Sequence, residues 1–220
     1  MRFKYRGPGA FLIVAGLAIV VAGFVYQTRV SIPHIDMPGV RMFSEPVTIM
    51  PFELQDHDGK TFDLSRLEGQ WNVLFFGYTN CPDVCPTTLA LMDGVAGRLP
   101  PDLQEKTQFV FVSVDPYRDK QGELKEFVRF FNPAFVGVTG TAAAIDQLAF
   151  QVGGIYDYED PESHDLIRDT STLGPDRDYL VSHFAGLMLI DPHARLVAHV
   201  LPPHDVDKVV EVISRLQGQG

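Results

Sequence analysis

Cys81 and Cys85 are the only cysteines in a chain of 220 residues, and they stand four positions apart inside GYTNCPDVCPTTL, Gly77 to Leu89. Two thiols so close together suit three kinds of chemistry: dithiol–disulfide exchange, reduction of a peroxide, or capture of a soft metal such as Cu(I). The stretch is built to favour a thiolate. An apolar run leads into it and a helix-like pattern follows, so the sulfurs lie near a helix N-terminus, whose unpaired N–H groups lower a thiol's pKa. Pro82 removes a donor and stiffens the loop, while Pro86 suits a first helical turn, where a missing N–H costs nothing. Spacing alone leaves open whether the sulfurs meet on a disulfide, on a metal or on neither.

A histidine would narrow the choice, because Cu(I) accepts two thiolates and an imidazole in a trigonal site whereas structural zinc takes four ligands. The chain has seven histidines. His34 lies in a Pro-, Gly- and Met-rich stretch, Val30 to Pro51, with Met37, Met42 and Met50 scattered around it; ordinary linker residues are the simpler reading. His57 flanks the Asp58-Gly59 turn and is expected to be solvated. His164 sits in an acidic segment, and His193, His199 and His204 lie in or near a C-terminal hairpin. His183 opens an apolar strand, HFAGLMLIDP, the position where solvation least explains a polar residue. The alternative there is a strand-end histidine bonded to backbone.

The elements that must position these residues alternate. Phe52 and Leu54 alternate with polar residues before the Asp58-Gly59 turn, as in a hairpin. Trp71–Phe76 and Phe109–Val114 read as buried strands, the second closed by Asp115-Pro116. Leu89, Met92, Val95, Ala96 and Leu99 mark a helix that ends at Pro100-Pro101, and Leu124, Phe127, Val128 and Phe131 mark another that stops at Asn132-Pro133. A brief strand, Phe135–Val138, precedes a helix capped by Thr141 with Ile145, Leu148, Ala149 and Val152 inward. Strand and helix in alternation predict an α/β domain, a sheet with parallel members covered by helices. Tyr156–Tyr179 breaks the rhythm: acidic and long for a connection, it is expected to be a functional flap or a disordered insertion. Two antiparallel strands, His183–Pro192 and Arg195–Leu201, and a helix from Asp205 with Val206, Val209, Val210, Ile213 and Leu216 inward complete the chain.

Residues 8–26 carry no charge over nineteen positions, about the length that crosses a bilayer core, and follow Arg2, Lys4 and Arg6. The expectation is an uncleaved anchor over 1–29, with the N-terminus in the cytoplasm and the rest outside a bacterial inner membrane, in the periplasm. A tether, 30–45, and one domain, 46–220, follow. Without Arg2, Lys4, Arg6 and Arg29, 14 of the 18 Lys+Arg remain against all 28 Asp+Glu, a formal charge of −14. That surface argues against nucleic acid and against docking on anionic lipid, and it favours solubility, a basic partner or a cation. An exported compartment also lets a disulfide persist, so the two cysteines can cycle.

Phe76-Gly77-Tyr78-Thr79 leading into CPDVCP, then FVSVDPYRDK, NPAFVGVTGT and a histidine before LMLIDP, resembles the Sco/SenC family of membrane-anchored, thioredoxin-like copper proteins, in order from Pro46 to Leu216. The resemblance implies a thioredoxin-like fold, a central mixed sheet flanked by helices, and one bound copper ion, Cu(I) or Cu(II). It implies a role in delivering copper to the copper-bearing subunit of cytochrome c oxidase, or in reducing the cysteines of that binuclear centre as a thiol–disulfide oxidoreductase. An upstream copper donor and a thiol reductant are implied partners. Carried over residue by residue, the ligands are Cys81, Cys85 and His183. Asp115, in the VDP segment, and Asp83, inside CPDVCP, are the carboxylates expected close behind them, and His164 is a candidate extra ligand. Ser182 stands where the family commonly has Asp, so no carboxylate next to the histidine orients the imidazole.

Overall fold

The computed structural model describes residues 35–218. The apolar 8–26 run and His34 lie outside them, and among the described residues no helix is long and apolar enough to cross a membrane.

Among the described residues, ten strands and five α-helices form a mixed α/β domain. The strands are β1 (Val40–Thr48), β2 (Glu53–Asp56), β3 (Thr61–Asp63), β4 (Trp71–Gly77), β5 (Thr107–Ser113), β6 (Val136–Thr139), β7 (Tyr156–Glu159), β8 (Leu180–His183), β9 (Leu187–Ile190) and β10 (Arg195–Val200). The helices are α1 (Val84–Arg98), α2 (Pro101–Gln104), α3 (Gln121–Phe131), α4 (Ala142–Val152) and α5 (Val206–Gln217). Eight strands make one sheet in the order β1-β10-β9-β4-β5-β6-β2-β3, and β7 and β8 form a separate two-stranded ribbon.

The centre of the sheet follows from the apolar runs. Val73, Leu74, Phe75 and Phe76 in β4 and Val110, Phe111 and Val112 in β5 are fully enclosed, as strands covered on both faces must be. These two strands run parallel in register from Trp71↔Thr107 to Gly77↔Ser113, so their C-terminal ends finish side by side. Such ends are where open α/β sheets carry ligands. Helix α1 packs on α5 and α3, burying Leu89, Met92 and Val95. In α5 the inward residues are Val209, Val212, Ile213 and Leu216. Thr141 caps α4 by accepting from Ala144 N–H, and Gly153, at φ 72°, ends that helix in the left-handed region.

Four expectations are corrected. The stretch 30–45 is not all tether: Ile35 is buried, and from Val40 the chain is strand β1, paired with β10. His183 does not open a strand but closes β8, and the apolar strand β9 begins only at Leu187. Tyr156–Tyr179 is not a disordered insertion. Tyr156–Glu159 pairs antiparallel with Leu180–His183, Tyr156 facing His183, and Tyr158 and Tyr179 are buried. The tyrosines supply the apolar area that an acidic segment otherwise lacks. His57 is buried rather than solvated, its Nδ1 accepting from Gly137 N–H at 2.9 Å.

Burial also holds His57 and His199 below the ordinary histidine pKa of 6.5. Both are neutral in the fold and readily protonated once unfolded, so stability is full above pH 6.5 and falls as acid binds the unfolded chain. Denaturant midpoints at pH 7.5 and 5.5 should show the loss, and His57→Gln combined with His199→Gln should reduce it, leaving the share of His204, which burial also holds down; a midpoint that rises on acidification would contradict this account.

Candidate metal centre

Cys81 lies on the loop leaving β4, and Cys85 is the second residue of α1, with Pro86 beside it in the first turn. The Cys85 side chain is 0% exposed, enclosed because its sulfur lies over the end of β4. A Cβ added to Gly77 would stand 2.6 Å from that sulfur and 2.8 Å from the Phe111 ring. Only glycine admits this approach. Cys81 is partly exposed and accepts from Cys85 N–H at 3.4 Å.

The imidazole arrives from the ribbon. His183 Nε2 is 3.5 Å from Cys85 Sγ, and its ring is walled by Phe75 and Tyr78, both edge-on, with centroids at 5.7 and 6.0 Å. Nδ1 faces the carbonyl of Phe184 at 3.4 Å. With the Nδ1–H donated there, the lone pair of Nε2 is directed at the sulfurs. The backbone carbonyl thus does the orienting that an adjacent Asp would do, while Ser182 faces solvent. Donor atoms of Cys81, Cys85 and His183 all lie within 4.8 Å of one another. Ligands bound at roughly 2.0–2.3 Å can be at most about 4.6 Å apart across one ion, so the cluster fits a single ion after a small closure.

The two thiols are made unlike. Cys85 donates its S–H to Cys81, and the amides of Cys85 and Asp83 add to this, bringing the Cys81 thiol far below its usual range. The negative sulfur so formed and burial push Cys85 well up. The metal-free pair is a thiolate at Cys81 beside a thiol at Cys85. Desolvation and the neighbouring sulfurs hold the Tyr78 hydroxyl up at about 12, protonated and able to donate.

The other candidates lie apart from these donors. Asp83 is exposed and precedes α1, its carboxylate 3.4 Å from the Thr87 hydroxyl; it reaches the centre only through its amide. Asp115 is wholly buried but turned to other partners, accepting from Arg118 Nε at 2.6 Å and the Tyr179 hydroxyl at 2.5 Å. His164 is outside the cluster, its side chain 68% exposed and 3.9 Å from Glu159, because it caps the far turn of the ribbon. Sequence reasoning missed Asp119, which is buried and accepts from Thr79 N–H at 3.0 Å, the Thr79 hydroxyl at 2.6 Å and the Ser113 hydroxyl at 2.6 Å. It fixes the strand end from which the cysteine loop departs, and its signal was a second acid four residues past Asp115, at the close of a buried strand. Gly77 and Arg118 were missed as well.

A thioredoxin-like α/β domain with two cysteines and a histidine gathered beyond the ends of its parallel strands defines a class of metal-binding or thiol-active proteins. The chain belongs to the SCO1/SenC family, whose sequence model matches residues 42–218. It is 32% identical over 182 residues to a putative copper-binding protein of Stutzerimonas stutzeri, covering 83% of each chain. To the mitochondrial SCO1 homolog 1 of Arabidopsis thaliana it is 32% identical over 161 residues, 73% of this chain but 44% of that one. The crystal structure of Arabidopsis thaliana ScoI with copper bound superposes with a TM-score of 0.66 at 30% identity, covering 77% of this chain and 98% of that one.

Two results are expected from the packing. In the metal-free protein at neutral pH, iodoacetamide followed by peptide mapping should label Cys81 well before Cys85; equal labelling would contradict the asymmetry. Gly77→Ala should cost about 1–3 kcal/mol in denaturant unfolding, the range for overpacking a filled site, and a neutral result would show that the Cys85 sulfur is free to move.

Proposed function

We propose that this chain is a membrane-anchored copper-binding protein that holds one copper ion through Cys81, Cys85 and His183 and hands it to the copper-bearing subunit of cytochrome c oxidase. The observation that carries the reading is the convergence of two sulfurs and one imidazole within 4.8 Å. Two soft donors with one borderline donor suit Cu(I), and among the described residues no fourth Cys, His, Asp or Glu joins them to make a tetrahedral zinc site. Copper in the Arabidopsis relative's structure supports the same ion here. The family's link to oxidase assembly supports the acceptor, and the apolar 8–26 run after three cations supports an anchor in the bacterial inner membrane with the domain in the periplasm.

The chain's own groups account for holding and release. Cys81 is a thiolate before any ion arrives and is partly exposed, so an incoming or accepting ligand meets it first. Cys85 loses its proton as it becomes a ligand, and Nε2 needs no proton removed. Aromatic walls at Phe75 and Tyr78 exclude water from one side. Transfer then proceeds by ligand exchange from the exposed side.

A second reading draws support from the same asymmetry. A partly exposed thiolate beside a buried thiol is the arrangement of an attacking and a resolving cysteine, which would let the chain reduce the oxidase subunit's cysteines or those of another exported partner. Copper titration of purified Cys81→Ser, Cys85→Ser and His183→Ala distinguishes the two. Each change should weaken copper binding by at least about tenfold with the fold kept, while His183→Ala keeps most of any reductase activity. Unchanged affinity in all three would contradict the copper site.

A further inference from the structure

The three donors come from two separate units. The cysteines belong to the β4–α1 connection, and His183 belongs to the β7–β8 ribbon, which is not part of the main sheet. Something must set one unit against the other, and the turn after β5 touches both. On one side, Asp119 grips Thr79, two residues before Cys81, through its N–H and its hydroxyl. On the other, Asp115 accepts from the hydroxyl of Tyr179, four residues before His183. Arg118 joins the pieces. Its Nε donates to Asp115 at 2.6 Å, its Nη1 donates to the Tyr179 carbonyl at 3.1 Å, and its guanidinium lies 3.6 Å from the centroid of the Tyr179 ring. The same guanidinium stands 5.9 Å over the Tyr78 ring, the edge-on wall of His183.

We propose that the Asp115–Asp119 turn is the positioning element of the metal centre and that Arg118 is the residue that sets His183 against the cysteine pair. This rests on the copper reading above and adds to it a part for residues that touch no ion. Arg118 is suited to the task and poorly explained as ballast. Its side chain is 12% exposed, and Nη2 is buried without an acceptor, a loss that a residue kept for stability alone would avoid. What the site uses is the flat face held against Tyr179 and the fork aimed at Asp115 and the Tyr179 carbonyl, which lysine cannot reproduce.

Two measurements test this, with Arg118→Lys as the main variant and Tyr179→Phe, which removes one hydroxyl, as the milder one should Arg118→Lys fail to fold. In the metal-free protein, hydrogen–deuterium exchange should rise several-fold in Leu180–His183 while Val84–Arg98 keeps its protection; unchanged exchange in the ribbon overturns the proposal. In the second, copper affinity is measured for Arg118→Lys alone, His183→Ala alone and the two together. Arg118→Lys should weaken binding by about tenfold with His183 present and change it little once His183 is gone. An equal loss in both backgrounds, or none in either, overturns the proposal. If His183→Ala and the cysteine variants leave copper binding intact, it is the copper reading that has failed, and the exchange experiment still decides whether Arg118 holds the ribbon.

Discussion

The buried ion pair between Asp115 and Arg118 is the contact on which the geometry of the centre turns. A carboxylate removed from water is tolerated only if its oxygens are occupied, and here one is taken by Arg118 Nε and the other by the Tyr179 hydroxyl. The satisfaction is reciprocal: the carboxylate cannot be buried without the ribbon, and the ribbon has few other polar ties to the main sheet, among them the Tyr158 hydroxyl on the Val114 carbonyl at 2.6 Å. Removing one partner of such a pair typically costs about 3–5 kcal/mol, because the other charge is left alone. An acidic surface segment is thereby fastened to the end of a parallel strand, with His183 at its close.

The chemistry of the cysteines has a different origin, in packing rather than charge. Gly77 has no side chain, so the Cys85 sulfur can fill the space above the strand end and hydrogen-bond Cys81; that hydrogen bond first, and burial second, separates the thiols in acidity, and burial separates them in access. Had both been exposed, the pair would oxidise or bind indiscriminately; had both been buried, nothing could exchange with them. One partly exposed and one enclosed sulfur, with an imidazole oriented by the Phe184 carbonyl, gives a cluster of three donors open to solvent at Cys81.

The elements of the sheet could be read from the chain because burial writes itself into apolar runs: WNVLFF and FVFVSV became β4 and β5, and Thr141 and Asp205 cap the helices they precede. The cysteine loop was legible for the same reason, lying between a strand and a helix. His183 was singled out as the opening of a strand it in fact closes, and only the family resemblance chose it as a ligand. Its partners lie 98 and 102 residues away in the chain, beyond the reach of any local pattern. The ribbon was hidden although Tyr156 and Tyr158 alternate with Asp157 and Glu159, because four residues at the edge of a long acidic segment are too short a run to mark a strand. Asp115 was noticed as a carboxylate close behind the ligands, but its actual partners, Arg118 and the Tyr179 hydroxyl, follow from the fold and leave no local pattern in the chain.

X-ray absorption at the copper edge of the Cu(I)-loaded protein, compared with the His183→Ala variant, tests the central claim most directly. The account predicts two sulfur donors and one imidazole nitrogen in the parent protein, with the imidazole signature absent from the variant. A site of sulfur alone in the parent, or an imidazole that persists without His183, would contradict it.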